Sequence, residues 1–133
     1  MSVSPLARRK LAAIYAGGVT GALLRVGLAQ AAPVGPGGWP WATFAVNMAG
    51  ALLLGYFFAL FRDHPEESLA HPFLGTGICG TLTTFSTMQL ELLEMVDGGR
   101  LGLAAAYCAA TLATGYACVR LGIALERRPE VAR

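Results

Sequence analysis

Long apolar stretches separated by short polar connections make up most of this chain. A transmembrane helix needs about 20 mostly apolar residues. Four stretches meet this requirement, and we predict spans at about residues 11–30, 41–61, 69–90 and 101–119. The connections between them are too short to link separate domains. The pattern therefore predicts an all-α membrane protein in which residues 1–133 form a single domain of four transmembrane helices.

The composition agrees with a membrane protein and argues against several other classes. Of the 133 residues, 55% are hydrophobic and 14% are charged, whereas soluble domains carry about 25% charged residues. A net charge of +2 is too small for a nucleic-acid-binding surface, so we expect no nucleic-acid partner. No nucleophile has a histidine or carboxylate in a plausible register, and we expect no enzyme activity. The three cysteines lie singly in apolar stretches, which gives neither a disulfide framework nor a metal site.

The first span has an alternative interpretation as a signal peptide. Three basic residues precede it, and it ends in Ala29-Gln30-Ala31, which imitates a cleavage site. The apolar run is too long for a signal peptide, and it contains Arg25. We therefore expect a retained transmembrane helix.

The distribution of Lys and Arg predicts the orientation of the spans. Eight of these residues lie in the N-terminus, the second connection and the C-terminal tail, and two lie on the opposite side. The positive-inside rule then places both termini in the cytoplasm. The eight are Arg8, Arg9, Lys10, Arg62, Arg120, Arg127, Arg128 and Arg133, and the two are Arg25 and Arg100.

The third span is unusually polar for a membrane helix. Residues 75–87 read Gly-Thr-Gly-Ile-Cys-Gly-Thr-Leu-Thr-Thr-Phe-Ser-Thr, with three glycines and then five hydroxyl residues. These residue types weaken a regular helix. A break at mid-membrane would free carbonyl and amide groups and create a candidate ion site. Alternatively, the hydroxyls bond to their own helix and the glycines allow close packing.

Two other spans carry isolated polar side chains. Asn47 lies inside the second span, where an unpaired amide is costly, so it must face protein or a wet pathway. Tyr107, Thr111 and Thr114 recur at steps of three and four and therefore share one face of the fourth span. This face either lines an aqueous path or packs against another helix, and packing is the commoner case.

Charged and small residues complete the pattern. Arg25 is close enough to the membrane surface to snorkel, and we expect Glu91 and Glu94 to be solvated beyond the third span. No carboxylate lies deep in a predicted span, which argues against proton-coupled transport. Stripes of small residues predict helix-packing surfaces on the first and fourth spans. They comprise Gly17, Gly21, Ala105, Ala109 and Ala113.

Three short motifs in the first three spans suggest a family. They are Gly17-Gly18-x-x-Gly21-Ala22-x-x-Arg25, Asn47-x-x-Gly50 and Gly77-x-Cys79-Gly80-x-x-Thr83-Thr84-Phe85-Ser86-Thr87. The third motif is highly specific, whereas the first two would be weak alone. With these motifs, and with four spans in a short chain, the sequence resembles the Fluc (CrcB) family of small bacterial fluoride channels over nearly its whole length.

The resemblance implies an antiparallel, dual-topology dimer with two fluoride pores and a third helix that is broken at mid-membrane. It further implies a structural Na⁺ ion at the dimer centre, held by the main-chain carbonyls of Gly80 and Thr83. The Asn47 amide and the Thr84 and Ser86 hydroxyls would then be hydrogen-bond donors along the pore. Such donors can replace the water around a small, tightly hydrated anion without a full positive charge.

The resemblance also gives roles to the remaining candidate residues. Phe85 matches one of two pore-lining aromatic residues, but Met88 stands where family members usually have the second. A thioether can fill the same space but lacks the positive edge of an aromatic ring. Tyr107, Thr111 and Thr114 match a polar track along the fourth helix, and Arg25 and Glu91 match residues of the pore vestibule.

The charge distribution bears on the implied dimer. Identical antiparallel chains must insert in both orientations, which calls for a weak Lys and Arg bias, and eight against two is not weak. Either the distal charges count for little, or this chain pairs with an oppositely oriented homologue. We favour the homodimer.

The implied function is passive, fluoride-selective export across the bacterial cytoplasmic (inner) membrane, which lowers the toxicity of intracellular fluoride. One alternative is a small-cation or multidrug exporter, although such proteins need a titratable carboxylate within a helix. The other is a non-conducting membrane subunit that needs a homologous partner.

Overall fold

The computed structural model describes residues 4–33, 35, 38–62 and 68–126. These residues form helices and short connections, with no strand among them, which confirms the predicted all-α class. His64 and three of the cytoplasmic arginines in the charge count, Arg127, Arg128 and Arg133, lie outside the described residues.

The described elements follow the apolar stretches, with one division. Three helices are long and apolar enough to cross a membrane, and the region of the third predicted span consists of three consecutive shorter elements. In chain order the elements are α1 (Pro5–Ala31), α2 (Trp41–Leu60), a π-helix (Pro72–Cys79), α3 (Gly80–Leu82), α4 (Phe85–Asp97) and α5 (Leu101–Glu126).

Two long helices extend beyond the spans predicted for them. α1 begins at Pro5, where proline suits the first turn, and the Ser4 side chain accepts a hydrogen bond from the Ala7 amide. α5 continues past residue 119 to Glu126. The predicted spans stop where charged residues begin, at Lys10 in α1 and at Arg120 in α5, and both helices continue past these charges.

The interruption in the third region lies at Thr83 and Thr84. Both residues have extended backbone, with ψ values of 150° and 116°. The Thr84 hydroxyl then accepts a hydrogen bond from the Thr87 amide at 3.2 Å and caps the start of α4. A threonine that serves as an N-cap satisfies one of the free amides of a new helix, which stabilises the restart immediately after the break.

Glycines bring α1 close to the π-helix. Gly17 and Gly21 are buried, and a Cβ atom on either would collide with this neighbour: with the Phe73 carbonyl oxygen at Gly17 and with the Ile78 carbonyl oxygen at Gly21. The prediction that these glycines form a packing surface is therefore confirmed. The contact includes the glycine-rich backbone of the π-helix itself, because a Cβ on Gly77 would meet Gly17.

A second close contact joins α2 and α5, and it does not use the predicted alanine stripe. Ala105, Ala109 and Ala113 are all exposed in this chain, so they do not form the contact between its own helices, and their predicted role as a packing surface stays a prediction. The two helices meet instead through Gly55 and Gly122, where a Cβ atom would collide with the partner's carbonyl oxygen. Glycine permits a closer backbone approach than alanine, which explains the choice of face.

The buried core lies where α2 begins, α4 ends and α5 begins. Met88, Met95, Ala104 and Tyr107 form it, and the half-buried Trp39 packs against it. Tyr107 is fully buried. This arrangement places polar side chains from three helices next to the core at one end of the molecule.

Candidate functional site

Asn47 of α2 holds the interruption of the third region. The Thr84 amide donates a hydrogen bond to Asn47 Oδ1 at 2.8 Å, and Asn47 Nδ2 donates one to the Thr84 carbonyl oxygen at 3.1 Å. The Asn47 side-chain amide therefore forms hydrogen bonds with both the N–H and the C=O of Thr84, a residue that belongs to no helix. An extended residue among apolar helices would otherwise leave these groups unpaired, at a cost of about 1–3 kcal/mol each.

Gly50 lies one turn after Asn47 and makes room for the same segment. A Cβ on Gly50 would collide with the Cγ2 methyl of Thr83. The spacing Asn47-x-x-Gly50 thus has a local meaning, because the asparagine binds Thr84 while the glycine accommodates Thr83. The motif was visible in the sequence, but its partner residues depend on how α2 packs.

The hydroxyl groups around the interruption have different partners. Thr81 donates to the Gly18 carbonyl of α1 at 2.9 Å, and Thr83 donates to the Cys79 carbonyl at 3.0 Å. These two follow the alternative in which threonines bond to helix backbone. Thr84 donates to the Thr87 hydroxyl at 2.9 Å, while Ser86 is exposed.

The break redirects the amides that would otherwise bond to nearby carbonyls. In a continuous α-helix the Thr84 amide would bond to the Gly80 carbonyl, and the Thr87 amide would bond to the Thr83 carbonyl. The first amide donates to Asn47 instead, and the second donates to the Thr84 hydroxyl. Gly80 is exposed and has no neighbour within 4 Å of the place of a Cβ. The Gly80 and Thr83 carbonyls therefore lose the amide donors that a continuous helix would give them.

Glu91 forms a second polar group, which we call the Glu91 cluster and which consists of Thr43, Glu91 and Tyr107. The Thr43 hydroxyl donates to Glu91 Oε1, and the Tyr107 hydroxyl donates to Glu91 Oε2 at 2.8 Å. One carboxylate thus joins α2, α4 and α5. Two hydroxyl donors can stabilise its negative charge without a cation.

Glu91 is less solvated than expected, because it is half-buried and both of its carboxylate oxygens accept hydrogen bonds, whereas Glu94 is exposed as expected. Glu91 follows Met88 by three residues and precedes Met95 by four, and both methionines are buried. On a helix these spacings put all three side chains on one face. This periodicity was a signal for the partial burial of Glu91, but it is informative only if α4 continues to Asp97 rather than ending near residue 90.

The sequence analysis did not single out Thr43 of the cluster or Trp39, which lies beside the cluster. Thr43 is buried and lies one turn before Asn47, so it shares a face of α2 with the asparagine. Trp39 packs its ring against Tyr107, with ring centroids 5.2 Å apart. The spacing of Thr43 was a usable signal, whereas Trp39 lies in a connection and had none.

The remaining candidate residues are distributed unequally between the interior and the surface. Tyr107 and Thr111 are buried on one face of α5, but Thr114 is exposed. Phe85 is 71% exposed and Met88 only 5% exposed, so these two neighbours on α4 face different surroundings. Arg25 is half-buried.

Two of these residues carry unpaired buried atoms. Thr111 Oγ1 and Arg25 Nε have no hydrogen-bond partner within the part of the chain that the structure describes. Polar atoms that are buried and unpaired are uncommon in folded proteins. They mark two positions at which the described chain supplies no hydrogen-bond partner.

The chemistry of the site is that of binding and orientation. Hydroxyls, a side-chain amide and free carbonyls surround the interruption, and a single carboxylate lies in the Glu91 cluster. Within the described residues, no three His, Cys, Asp or Glu side chains lie close enough to hold a metal ion. A cation at this site would therefore depend on carbonyl oxygens.

Comparison with known proteins gives consistent matches over most of the chain. Residues 12–123 match the family described as CrcB-like protein, Camphor Resistance (CrcB). A relative from Mycobacterium tuberculosis (strain CDC 1551 / Oshkosh), named Fluoride-specific ion channel FluC 1, is 48% identical over 126 residues, which cover 94% of this chain and 96% of that protein. Fluoride-specific ion channel FluC 2 from Nocardia farcinica is 39% identical over 126 residues, or 94% of this chain and 90% of that protein. Fluoride-specific ion channel FluC from Bordetella pertussis is 42% identical over 91 residues, or 68% and 71% of the two chains.

Proposed function

The chain belongs to the CrcB family, and we propose that it is a fluoride-selective ion channel that lets cytoplasmic fluoride leave the cell passively. The observation that carries this proposal is the 48% identity, over 94% of the chain, to a relative named as a fluoride-specific channel. A channel moves an ion without changing a covalent bond, and the family is one of channels rather than enzymes. We assign the protein to the bacterial cytoplasmic (inner) membrane, where passive efflux would lower the toxicity of internal fluoride.

The donors around the interruption suit a small, strongly hydrated anion. Fluoride can leave water only where other donors replace its hydration shell. The Asn47 amide has two N–H groups, and only one of them is used on the Thr84 carbonyl, so one donor remains. The exposed Ser86 hydroxyl supplies a further donor, and we assign the Thr84 hydroxyl to the path as one that would exchange its bond to the Thr87 hydroxyl for a bond to the anion. None of these carries a full charge that would trap the anion.

The residues along α4 and α5 would extend this path. Thr111 presents a buried hydroxyl without a partner, one turn from Tyr107 of the Glu91 cluster. We assign the path to the face that holds Tyr107, Thr111 and Thr114. Phe85 would line it with the positive edge of its ring, and Met88, which packs beside Tyr107, would border it with an apolar thioether.

An antiparallel dimer would cover the surfaces that the single chain leaves open. Phe85 and Gly80 lie at the interruption and are exposed, which is an unfavourable place for the free Gly80 carbonyl in a membrane. A second copy would bury both. We favour the homodimer, and the alternative is a dimer with an oppositely oriented homologue. Arg25 and Glu91 would then lie at the vestibules, where a positive charge attracts anions.

The same surface fits a structural Na⁺ ion between the two subunits. Carbonyl oxygens are hard ligands that suit such a cation. The Gly80 and Thr83 carbonyls have lost their helical donors, and the open space around Gly80 leaves access to them. Two carbonyls from each subunit would supply four oxygens. The ion would stabilise the contact between the subunits.

One observation favours the alternative hypothesis that the protein is a proton-coupled exporter. Glu91 is a half-buried carboxylate that bonds to side chains of two other helices, and such a group can relay protons. The two readings differ in their dependence on a proton gradient. Fluoride release that continues when the gradient is collapsed supports the channel, and release that stops supports the exporter.

Growth of a fluoride-sensitive bacterial strain that lacks its own fluoride channel tests the proposed function in cells. We expect expression of this chain to restore growth in millimolar fluoride and to lower internal fluoride. Growth in chloride serves as the control and should not change. A chain that reaches the membrane but leaves internal fluoride as high as in the empty strain would contradict the proposal, unless co-expression of a homologue restores efflux.

Labelling of a cysteine placed near the N-terminus tests the dimer. Ser4 is exposed, and of the native cysteines Cys79 is buried and the other two are half-buried. In a Ser4→Cys variant, an impermeant thiol reagent added to intact cells should label about half of the chains if both orientations insert. Uniform protection would contradict the antiparallel homodimer and favour pairing with an oppositely oriented homologue.

A further inference from the structure

The indole N–H of Trp39 is a buried hydrogen-bond donor without an acceptor. Its Nε1 atom is shielded from solvent and has no hydrogen-bond partner among the residues that the structure describes. Indole can only donate, so only an acceptor can satisfy this group. A buried tryptophan usually finds a partner for its N–H. The isolated donor therefore needs an explanation.

Anchoring at the membrane surface does not explain this donor. Tryptophans that anchor a protein at the membrane surface keep the N–H within reach of water or lipid headgroups. The Trp39 N–H is buried, whereas the neighbouring Trp41 is 66% exposed. Trp41 thus has the exposure expected of an anchor, and Trp39 does not.

Trp39 lies directly against the Glu91 cluster. Its ring centroid is 5.2 Å from that of Tyr107, at an interplanar angle of 82°, and Tyr107 donates to Glu91. Its centroid is also 5.6 Å from that of Phe44, again edge to face. Aromatic rings therefore surround the indole on the side of the molecule where the cluster joins three helices.

We propose that the Trp39 N–H is an additional fluoride-binding donor beside the Glu91 cluster. This inference rests on the proposed function and adds a residue to its path. The Thr43 and Tyr107 hydroxyls already donate to the Glu91 carboxylate, so an anion there must compete with a negative charge for them. The Trp39 N–H has no such competitor. It would bind the anion when the hydroxyls are engaged.

A neutral donor among ring edges also suits selective conduction. Fluoride is the strongest hydrogen-bond acceptor among the halides, and an uncharged N–H binds it less tightly than a full positive charge would. The positive edges of aromatic rings add a weak attraction. The site would thus replace part of the hydration shell and still release the ion.

Fluoride flux through two matched variants tests the proposal. Trp39→Phe keeps an aromatic ring and removes the N–H, and Trp41→Phe makes the same change at the exposed neighbour. In liposomes that contain the full chain, we expect Trp39→Phe to slow fluoride efflux about tenfold, the loss expected for one hydrogen bond to an anion. Trp41→Phe should release fluoride at the wild-type rate.

The outcomes separate this inference from the proposed function. A wild-type chain that conducts, together with a Trp39→Phe variant that conducts equally well, overturns the role of Trp39 and leaves the function standing. A wild-type chain that releases no fluoride, alone or with a homologue, overturns the function and this inference with it.

Tryptophan fluorescence provides a second readout, which does not depend on how the Trp39→Phe variant folds. The chain contains two tryptophans, so the Trp41→Phe variant reports on Trp39 alone. We expect fluoride to shift its emission to longer wavelength in a saturable way, while chloride at the same ionic strength has no effect. An emission spectrum that fluoride leaves unchanged would contradict direct binding. The Trp39→Phe variant, which reports on Trp41, should show no shift.

Discussion

The interruption and the Glu91 cluster are both polar groups held between helices, yet they are satisfied in different ways. At the interruption, Asn47 pairs with both backbone groups of Thr84, and Gly50 accommodates Thr83, so the backbone of Thr84 is satisfied within the chain. At the Glu91 cluster, a carboxylate takes two hydroxyls, and the nearby N–H of Trp39 has no partner.

This difference distinguishes polar contacts that hold the fold from a hydrogen-bond donor that has no partner within the described residues. A side chain that satisfies backbone groups within one chain holds the fold as well as any ligand path, so its substitution should affect folding and flux together. A group with an unused donor gains from an anion, so its substitution should affect flux more than stability. The following substitutions test this distinction, from the largest expected effect to the smallest.

Asn47→Asp should have the largest effect. The carboxylate can still accept from the Thr84 amide, but it cannot donate to the Thr84 carbonyl and would face that oxygen with a negative charge. We expect fluoride efflux to be abolished and the free energy of unfolding to fall by about 2–3 kcal/mol, the cost of an unpaired charged group. Efflux from liposomes and thermal unfolding in detergent measure both effects.

Gln89→Glu is the matched control for that substitution. It makes the same change from amide to acid on the exposed face of α4. Its efflux and unfolding should remain close to wild type. If Asn47→Asp behaves like Gln89→Glu, then Asn47 neither holds the break nor contributes to the path.

Gly50→Ala should have the next largest effect. The added methyl would collide with Cγ2 of Thr83, and we expect a loss of about 1–3 kcal/mol in stability with a parallel loss of flux. Gly102→Ala is the control, because no atom lies within 4 Å of a Cβ there. Thermal unfolding and efflux measure the effect.

A second substitution makes the Gly50 test specific. Thr83→Ser removes the Cγ2 methyl that causes the collision while keeping the hydroxyl that bonds to Cys79. The double variant Gly50→Ala with Thr83→Ser should regain most of the lost stability, because the two positions are in direct contact. Additive losses in the double variant would show that Gly50 acts through something other than Thr83.

Glu91→Gln should have the smallest effect on folding and a moderate effect on flux. The neutral amide still accepts one hydroxyl, so we expect a change in stability of about 1 kcal/mol or less. Flux should fall several-fold, because the hydroxyls of Thr43 and Tyr107 would no longer be held by one carboxylate. Glu94→Gln, at an exposed position, is the control. Equal flux in both variants would remove Glu91 from the path.

Properties that depend on local composition were predictable from the sequence. The apolar stretches indicated the long helices, and the run of glycines and hydroxyl residues indicated a weak point in the third region. The exact place of the break also has a local cause, because Thr84 caps the helix that follows it. Gly17 and Gly21 were recognisable as a packing surface.

Contacts between distant residues were not predictable to the same extent. The polarity of Asn47 required a partner, but nothing in the sequence identifies Thr84, which lies 37 residues away. The partial burial of Glu91 was not expected, because it depends on α4 continuing beyond the apolar stretch. The contact between α2 and α5 uses Gly55 and Gly122 rather than the alanine stripe on α5, since close approach of two backbones favours glycine.

Efflux from liposomes that contain only this purified chain is the most direct test of the central claim. Fluoride release, read with an ion-selective electrode, is compared with chloride release under the same gradient. The account predicts rapid fluoride release and little chloride release. Chloride release as fast as that of fluoride, or no fluoride release even after co-reconstitution with an oppositely oriented homologue, would contradict it.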